Sequence, residues 1–305
     1  MHTHGQTKRV LAIVLALNAL TCLVEFIAGW WTNSLALLSD AGHMLGDVGA
    51  LALSFAAASF ATRPASTDKT FGYYRSEILA ALANGVVLVV IAALVVFEAV
   101  RRLSAPPSLE GGTVAAVAAI GLVVNLVSAF VLLGGSRNDL NMRGAFLHAV
   151  SDTLGSVGAL VAGLLVLGRG WTIADPLASL FISLLVAYAG VRLLGDTVHV
   201  LMEGAPARLR VERVREAMEN AEGVRAVHDL HVWSVASRFA VLSAHIVTDS
   251  ALSVAESQRV LAGVRGVLRQ EFGVEHVTLQ VEPAPEASPD AACAPCEEPG
   301  RAAER

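Results

Sequence analysis

The sequence predicts an α-helical membrane protein: six transmembrane helices followed by a small α+β cytosolic domain. Three observations carry this. The 305 residues are 54% hydrophobic and 16% charged, against roughly 25% charged in an average soluble domain, and the mean hydropathy is +0.59. Charge is unevenly spread: residues 1–194 hold 11 basic and 10 acidic side chains, and residues 195–305 hold 11 basic and 17 acidic. The apolar residues of the first part form blocks of about 20, the helical length that crosses roughly 30 Å of hydrocarbon.

The six spans are Val10–Trp31, Leu35–Ala61, Ile78–Val100, Thr113–Gly134, Ala145–Leu167 and Thr172–Leu194. Polar or Gly/Pro segments such as Arg63-Pro64 and Ala105-Pro106-Pro107 separate them. With the N-terminus inside, the inner flanks carry Lys8, Arg9, Arg63, Lys69, Arg75, Arg137, Arg143 and Arg192, and the outer loops only Arg101, Arg102 and Arg169. The positive-inside rule then puts both termini in the cytoplasm, as for a multi-pass protein of a bacterial inner membrane. The plan is a cytosolic N-terminus over residues 1–9, a membrane domain over 10–194, a linker over 195–207, a cytosolic domain over 208–282 and a disordered tail over 283–305.

Several classes are excluded. Disorder of the whole chain requires low hydrophobicity. A net charge of −5 gives no nucleic-acid signal, and three cysteines make no disulfide scaffold. The apolar stretch after Lys8 and Arg9 is too long for a cleavable signal peptide and lacks a small-residue cleavage site. No GxxxxGK[ST] motif is present for ATP-driven pumping.

The informative residues are polar ones inside the spans: Asn18 and Glu25 in the first, Asp40, His43 and Asp47 in the second, Asn125 in the fourth, His148 and Asp152 in the fifth, and Asp175 at the start of the sixth. Ionisable groups in a bilayer cost kilocalories each and normally line a polar cavity or an ion path. His43 and Asp47 are four apart, as are His148 and Asp152, so each pair shares a helix face. Two such helices offer two imidazoles and two carboxylates, a tetrahedral set that suits Zn²⁺. One His-x-x-x-Asp could be a hydrogen bond within its helix; two of them in separate apolar spans favour a shared site, although a proton relay would use the same residue types. Asp40, one turn before His43, is an accessory candidate. Asp40, Glu25 and Asp175 either shape an aqueous approach or cap and bond neighbouring helices. Asn18 and Asn125 suit interhelical hydrogen bonds, and Cys22 reads as a small apolar residue.

Ser39-Asp40-Ala41-Gly42-His43-Met44-Leu45-Gly46-Asp47 resembles the second-helix signature of the cation diffusion facilitators. Phe71-Gly72-Tyr73-Tyr74-Arg75-Ser76-Glu77-Ile78-Leu79-Ala80-Ala81-Leu82-Ala83-Asn84-Gly85 resembles their loop into helix three, and His148-Ala149-Val150-Ser151-Asp152 their fifth-helix half-site. The resemblance covers about residues 8–282. It implies a homodimeric metal/proton antiporter with six helices and a ferredoxin-like cytosolic domain per subunit. The His-Asp plus His-Asp set resembles the zinc-transporting branch; the manganese branch has Asp at all four positions. The chain departs from the family in its short Gly135-Ser136-Arg137-Asn138-Asp139-Leu140 loop, which has no histidine. Lys69 and Tyr73 stand where a loop metal site would have histidines, so no metal is expected there despite Asp68.

Residues 208–282 read as helix–strand–strand–helix–strand. Val211, Val214, Met218 and Ala221 recur at helical spacing; Ala226–Val235 and Phe239–Thr248 are strand-like; Val254, Leu261, Val264 and Leu268 mark a second helix and Val277–Val281 a last strand. Such a small core suits dimerisation. A regular strand puts His228 and His231 on opposite faces. The resemblance implies His228, His245 and Glu282 as a second, cytosolic metal site. His231 is assigned a structural or dimer-surface role, and His276 lies too far along its strand from Glu282 to join the site. Gln280 stands where some members have a histidine, which argues against a two-metal cluster. In the tail, Cys293 and Cys296 form a CxxC that could join His2 and His4 in a Cys₂His₂ site, or be a motif of no consequence.

The functional expectation is a Zn²⁺ exporter exchanging cytoplasmic zinc for protons through His43, Asp47, His148 and Asp152, with Cd²⁺ and Co²⁺ as plausible substrates. Zinc is then both substrate and regulatory ion; the partners are a second copy of the chain, the bilayer and protons, with no nucleic acid. The alternative is a membrane-bound metal sensor without transport. Four protein ligands leave no open coordination position, which argues against a hydrolase, so no enzyme is expected.

Overall fold

The computed structural model describes residues 3–61, 63–136, 140–236, 239–249 and 252–284. His2, Cys293 and Cys296, together with the side chain of His4, lie outside the described residues. The chain divides into two compact units. One combines Met1–Ser59 with Leu79–Gly195, the other Phe60–Ile78 with Asp196–Arg305.

The first unit is built on α1 (Thr3–Thr32), α2 (Leu35–Ala61), α3 (Arg75–Ser104), α4 (Gly111–Ser136), α5 (Leu140–Arg169) and α6 (Ala174–Leu201). The helices outrun the predicted spans, and residues 195–201, expected as linker, are the last turns of α6. Among the described residues, α1 from Ile13, all of α3 and α6, α4 over Gly111–Leu133 and α5 from Ala149 are long and apolar enough to cross a membrane. That makes five of the six expected spans. The sixth, α2, carries Ser39, Asp40, His43 and Asp47 in its first half.

Burial in this unit is the reverse of a soluble protein. Phe130 is 79% exposed and Phe97 71%, while Glu25, Asp40, Asn125, Asp152 and Ser156 are buried. An apolar exterior of this extent needs a lipid environment. Inside, small residues bring helices together. A Cβ at Gly163 of α5 would stand 2.6 Å from Ala115 N on α4, and one at Gly111 of α4 would stand 2.5 Å from Leu167 N on α5, so the two backbones touch as small-residue membrane interfaces allow. Gly85 on α3 and Gly190 on α6 also face one another, a Cβ at either standing 3.4–3.5 Å from the other's carbonyl oxygen, flanked by Leu88, Ala92, Ile182 and Val186. Asp175 caps α2: its Oδ2 accepts from Leu35 N at 2.8 Å, its Oδ1 accepts from Ala36 N at 3.2 Å, and Ser34 Oγ donates to Oδ1. A carboxylate at a helix N-terminus satisfies orphan amides and complements the dipole. The turn between α1 and α2 uses Asn33 at φ 55. Arg102 of α3 clamps that turn, donating to Asn33 O at 2.7 Å and Oδ1 at 2.9 Å.

The second unit contains α7 (Val211–Glu219), β1 (Ala226–Ala236), β2 (Phe239–Thr248), α8 (Val254–Phe272) and β3 (His276–Pro283). The sheet order is β1-β2-β3, with β1/β2 antiparallel and β2/β3 parallel through the α8 crossover. Val214, Met218, Leu261, Val264 and Leu268 of the helices pack with Val227, Val232, Leu242, Ala244 and Ile246 of the sheet. Sequence and structure agree on the order of elements. A ferredoxin-like fold has a further strand ahead of its first helix; the described stretch before α7 is not a strand, and the sheet has three strands. α8 starts with a capping box between Ser253 and Glu256 and ends at Gly273 with φ 64. Hydrogen bonds from Ser253 hold the Glu256 carboxyl below the usual carboxylate range. Residues 60–78 belong here too: Phe71 lies 5.3 Å from the His276 ring and Tyr74 5.2 Å from the Phe239 ring, between centroids.

Gly163→Val should cost about 1–3 kcal/mol, because the added side chain meets the backbone of Ala115 rather than a side chain that can turn away. Thermal unfolding of the purified chain in detergent measures it. A variant as stable as its parent would show that α4 and α5 can part without loss.

Candidate functional site

Two groups of side chains gather donor atoms suited to a metal, and they are built by different local rules. The first is in the membrane unit. Helical spacing sets His43 and Asp47 on one face of α2, with His43 Nδ1 3.7 Å from Asp47 Oδ2. α5 brings Asp152 across, with Oδ1 3.5 Å from His43 Nε2. One ligand atom from each of the three lies within 4.8 Å of the others. Ligand atoms about 2.0–2.2 Å from a tetrahedral zinc ion stand roughly 3.4 Å apart, so the 3.5 and 3.7 Å separations are compatible with a shared ion. Asp152 is 1% exposed, whereas His43 and Asp47 are 20% and 26% exposed, so one side of the group remains reachable. His148 sits on α5 four residues before Asp152; its side chain lies outside the described residues.

Asp40 does not join this group. Its Oδ2 accepts from Ser156 Oγ at 3.1 Å, and Ser156 Oγ in turn accepts from Asn125 Nδ2 at 3.2 Å. Asn125 thus makes the interhelical hydrogen bond expected of it. The Oδ1 of Asn18 is buried with no hydrogen-bond partner among the described residues.

The second group lies on the sheet face opposite α7 and α8. His228 is paired with His245 across β1 and β2, their rings 5.1 Å apart at 83°. Glu282 of β3 holds both: Oε2 is 3.1 Å from His228 Nε2 and Oε1 3.0 Å from His245 Nδ1. Gln280 Nε2 donates to Glu282 Oε1 at 2.9 Å and orients the carboxylate. Two imidazoles and a carboxylate converge within 4.8 Å, a donor set that fits zinc with one position left over. His276 is remote from it, packed among Phe71 and Phe239.

The strand argument for His231 fails. β1 has a bulge between His228 and His231, with Asp229 at φ 51, so that His231 faces Ser243 while His228 faces His245. Ser243 and His245 are two apart on β2 and share a face; His228 and His231 therefore share it as well. The extra residue of the bulge inverts the alternation that a regular strand imposes. Asp229, which a regular strand would have turned toward the core, also reaches this face. Its Oδ1 lies 3.0 Å from His231 Nε2 and its Oδ2 3.6 Å from His245 Nε2. Sequence reasoning missed Asp229; the only signal was its place in the run His228-Asp229-Leu230-His231.

Residues 11–202 match the cation efflux transmembrane domain, and residues 206–284 match the cytoplasmic domain of cation efflux proteins. A helical membrane unit with a partly buried histidine–carboxylate group, followed by a mixed α/β unit, is thus the build of a metal transporter family, and this chain belongs to the cation efflux family. It is 43% identical over 283 residues to the cadmium, cobalt and zinc/H(+)-K(+) antiporter of Bacillus subtilis, covering 92% of this chain and 91% of that protein. It is 40% identical to the metal cation efflux system protein CzcD of Cupriavidus metallidurans, over 95% of this chain and 92% of that one. It is 39% identical to the zinc transporter ZitB of Escherichia coli, over 95% of each. Among solved structures, the metal-bound C-terminal domain of the Cupriavidus transporter CzcD is 32% identical, over 24% of this chain and 99% of that one, with a TM-score of 0.23.

The bulge makes a stability prediction. A left-handed conformation costs a residue with a Cβ roughly 1–2 kcal/mol, and glycine nothing. Asp229→Gly should leave the denaturant midpoint of the purified chain unchanged or raise it, whereas Asp229→Val should lower stability by about that amount. Equal midpoints for the two variants would show that the bulge relaxes away in solution.

Proposed function

We propose that this chain exports divalent cations, Zn²⁺ foremost, from the cytoplasm in exchange for protons. The observation that carries the reading is the gathering of His43, Asp47 and Asp152 at ion-sharing distance inside the membrane unit. His148, on the same face of α5 as Asp152, completes the set. Two neutral imidazoles and two carboxylates neutralise a divalent cation, which lowers the cost of burying it. The names of the relatives from Bacillus subtilis and Escherichia coli support zinc as the main substrate, cadmium and cobalt as further ones, and protons as counter-ion. Exchange follows from ligand chemistry: histidine and carboxylate must be deprotonated to hold metal, so proton and metal occupancy exclude one another.

The rest of the reading follows the same line. α2 crosses the bilayer as a sixth span, shielded by its neighbours. Both termini lie in the cytoplasm of a bacterial inner membrane, and two copies pair through the cytoplasmic domain. His228, His245 and Glu282 bind a regulatory zinc ion, and Asp229 orients His245 from its far nitrogen, as outer carboxylates do for metal-bound histidines. The chain is a carrier and not an enzyme. A sensor without flux would need no ligand group in the membrane unit, so the sensor reading is set aside.

Asp47→Ala and Asp152→Ala should each abolish zinc uptake by inverted vesicles while the dimer stays folded, since each removes a ligand and half of the charge compensation. Flux surviving in either variant would contradict the four-ligand site. His43→Asp makes the shell harder, so it should weaken Zn²⁺ against Cd²⁺ and Mn²⁺ in a vesicle competition assay at fixed pH; an unchanged order would remove His43 from the ligands. His245→Ala should lower zinc affinity at the cytosolic site and blunt activation by metal while the membrane site still binds, and Asp229→Asn should weaken the cytosolic site by about 10–100-fold. Calorimetric titration of the purified chain separates the two sites, and a cytosolic site indifferent to His245 would refute its assignment.

A further inference from the structure

Of the buried carboxylates outside the metal group, one is not engaged by a hydrogen bond among the described residues. Glu25 of α1 is 0% exposed, and neither of its oxygens has a hydrogen-bond partner among the described residues. A carboxylate so placed costs several kilocalories unless something neutralises it. The surroundings are shaped to receive it. Glycine at position 121 of α4 leaves the space that its Oε1 occupies, because a Cβ there would overlap that oxygen. The same Cβ would stand 3.4 Å from Ser156 Oγ, which links Asn125 to Asp40. Gly155 of α5 does for Asp40 what Gly121 does for Glu25.

Four of the partnerless atoms, both Glu25 oxygens, Asp40 Oδ1 and Asn125 Oδ1, are acceptors; what these atoms lack is hydrogen and positive charge. A metal ion is the poorer candidate to supply them. Among the described residues the groups whose ligand atoms converge do not include Glu25, and the space left by Gly121 has no room for even a methyl group beside Oε1. A proton needs no volume, and it turns one acceptor into a donor for its neighbours. The charged groups acting on Glu25 are Asp40 from α2 and Asp152 from α5, with Cys22 one turn earlier on α1; the α4 residues at this group, Gly121 and Asn125, carry no charge.

We propose that Glu25 is a proton-carrying residue of the transport cycle, distinct from the metal ligands. Its carboxylate takes a proton from the outer face while the metal site is empty, when Asp40 and Asp152 make its surroundings negative. It returns the proton to the cytoplasmic face when a divalent cation among His43, Asp47 and Asp152 supplies positive charge instead. The proton binds and leaves as such, with no other bond changed, and its passage opposes that of the metal. This rests on the exchange reading above and gives it a second site.

The test uses the full chain in proteoliposomes, with zinc flux and a pH-sensitive dye read together. Glu25→Gln keeps the shape of the acid and cannot ionise; Glu25→Asp keeps the ionisation on a shorter arm. The expected result is that Glu25→Gln still binds zinc and still exchanges zinc for zinc, but moves fewer protons per zinc and loses acceleration by an imposed pH gradient, while Glu25→Asp keeps the coupling with a shifted pH profile. Glu25→Gln with the parent ratio of protons to zinc overturns the proposal. So does a folded Glu25→Gln that no longer binds zinc, which would make Glu25 part of the metal site. Should Glu25→Gln fail to fold, an unshifted pH profile in Glu25→Asp overturns it. A parent chain that moves zinc without protons overturns the exchange reading first, and this proposal with it.

Discussion

Charge without water is the constraint on which the membrane unit is organised. Each ionisable group buried there must be met by another polar group, by an ion or by a proton, because the surrounding lipid offers none. The unit answers case by case. Asp175 is spent on the first amides of α2, Asp40 on Ser156, and Asp47 and Asp152 on the imidazole of His43. These arrangements need helices close enough for short side chains to meet, which glycine provides: Gly155 makes room for Asp40, Gly121 for Glu25, and Gly111 and Gly163 bring α4 and α5 into backbone contact. Small residues in this unit are therefore as much a part of its electrostatics as of its packing.

The two metal-capable groups show how secondary structure sets what a site can be. On α2 the four-residue spacing fixes His43 over Asp47, and a neighbouring helix adds Asp152 at a wholly buried position. Such a site can change only if helices move. On the sheet, the donors come one from each of three strands, at half-exposed positions joined by cross-strand pairing. A site of this kind responds to small shifts between strands.

Residues 60–78 link these themes within the second unit. They follow α2 in the chain, yet they pack on the sheet, with Phe71 and Tyr74 against Phe239 and His276. Aromatic pairs at such distances each contribute about 0.5–1.5 kcal/mol beyond burial. The sheet face thus carries donor side chains toward one end of β3 and aromatic anchoring at its other end, where His276 stands. This explains the position of His276, which has a histidine's ligand chemistry and a packing role.

Much of this protein could be read from its sequence, because the relevant physics is local. Membrane helices declare themselves by length and apolarity, so the order of helices followed by a small α+β unit was legible. The pair His43/Asp47 was legible because helical geometry ties spacing to face. Cross-helix partnership was not. That Asp40 bonds Ser156 while Asp152 meets His43, and that Glu25 has no donor among the described residues, depends on which helices touch and where glycine lets them approach. The sheet site shows the limit most clearly. Period-two reasoning separated His228 from His231 and overlooked Asp229, because a single bulged residue reverses the alternation downstream of it. The sequence by itself determined which residues could bind an ion; only the tertiary structure decided which of them meet, since contacts between distant segments are set by packing and backbone irregularity rather than by spacing along the chain.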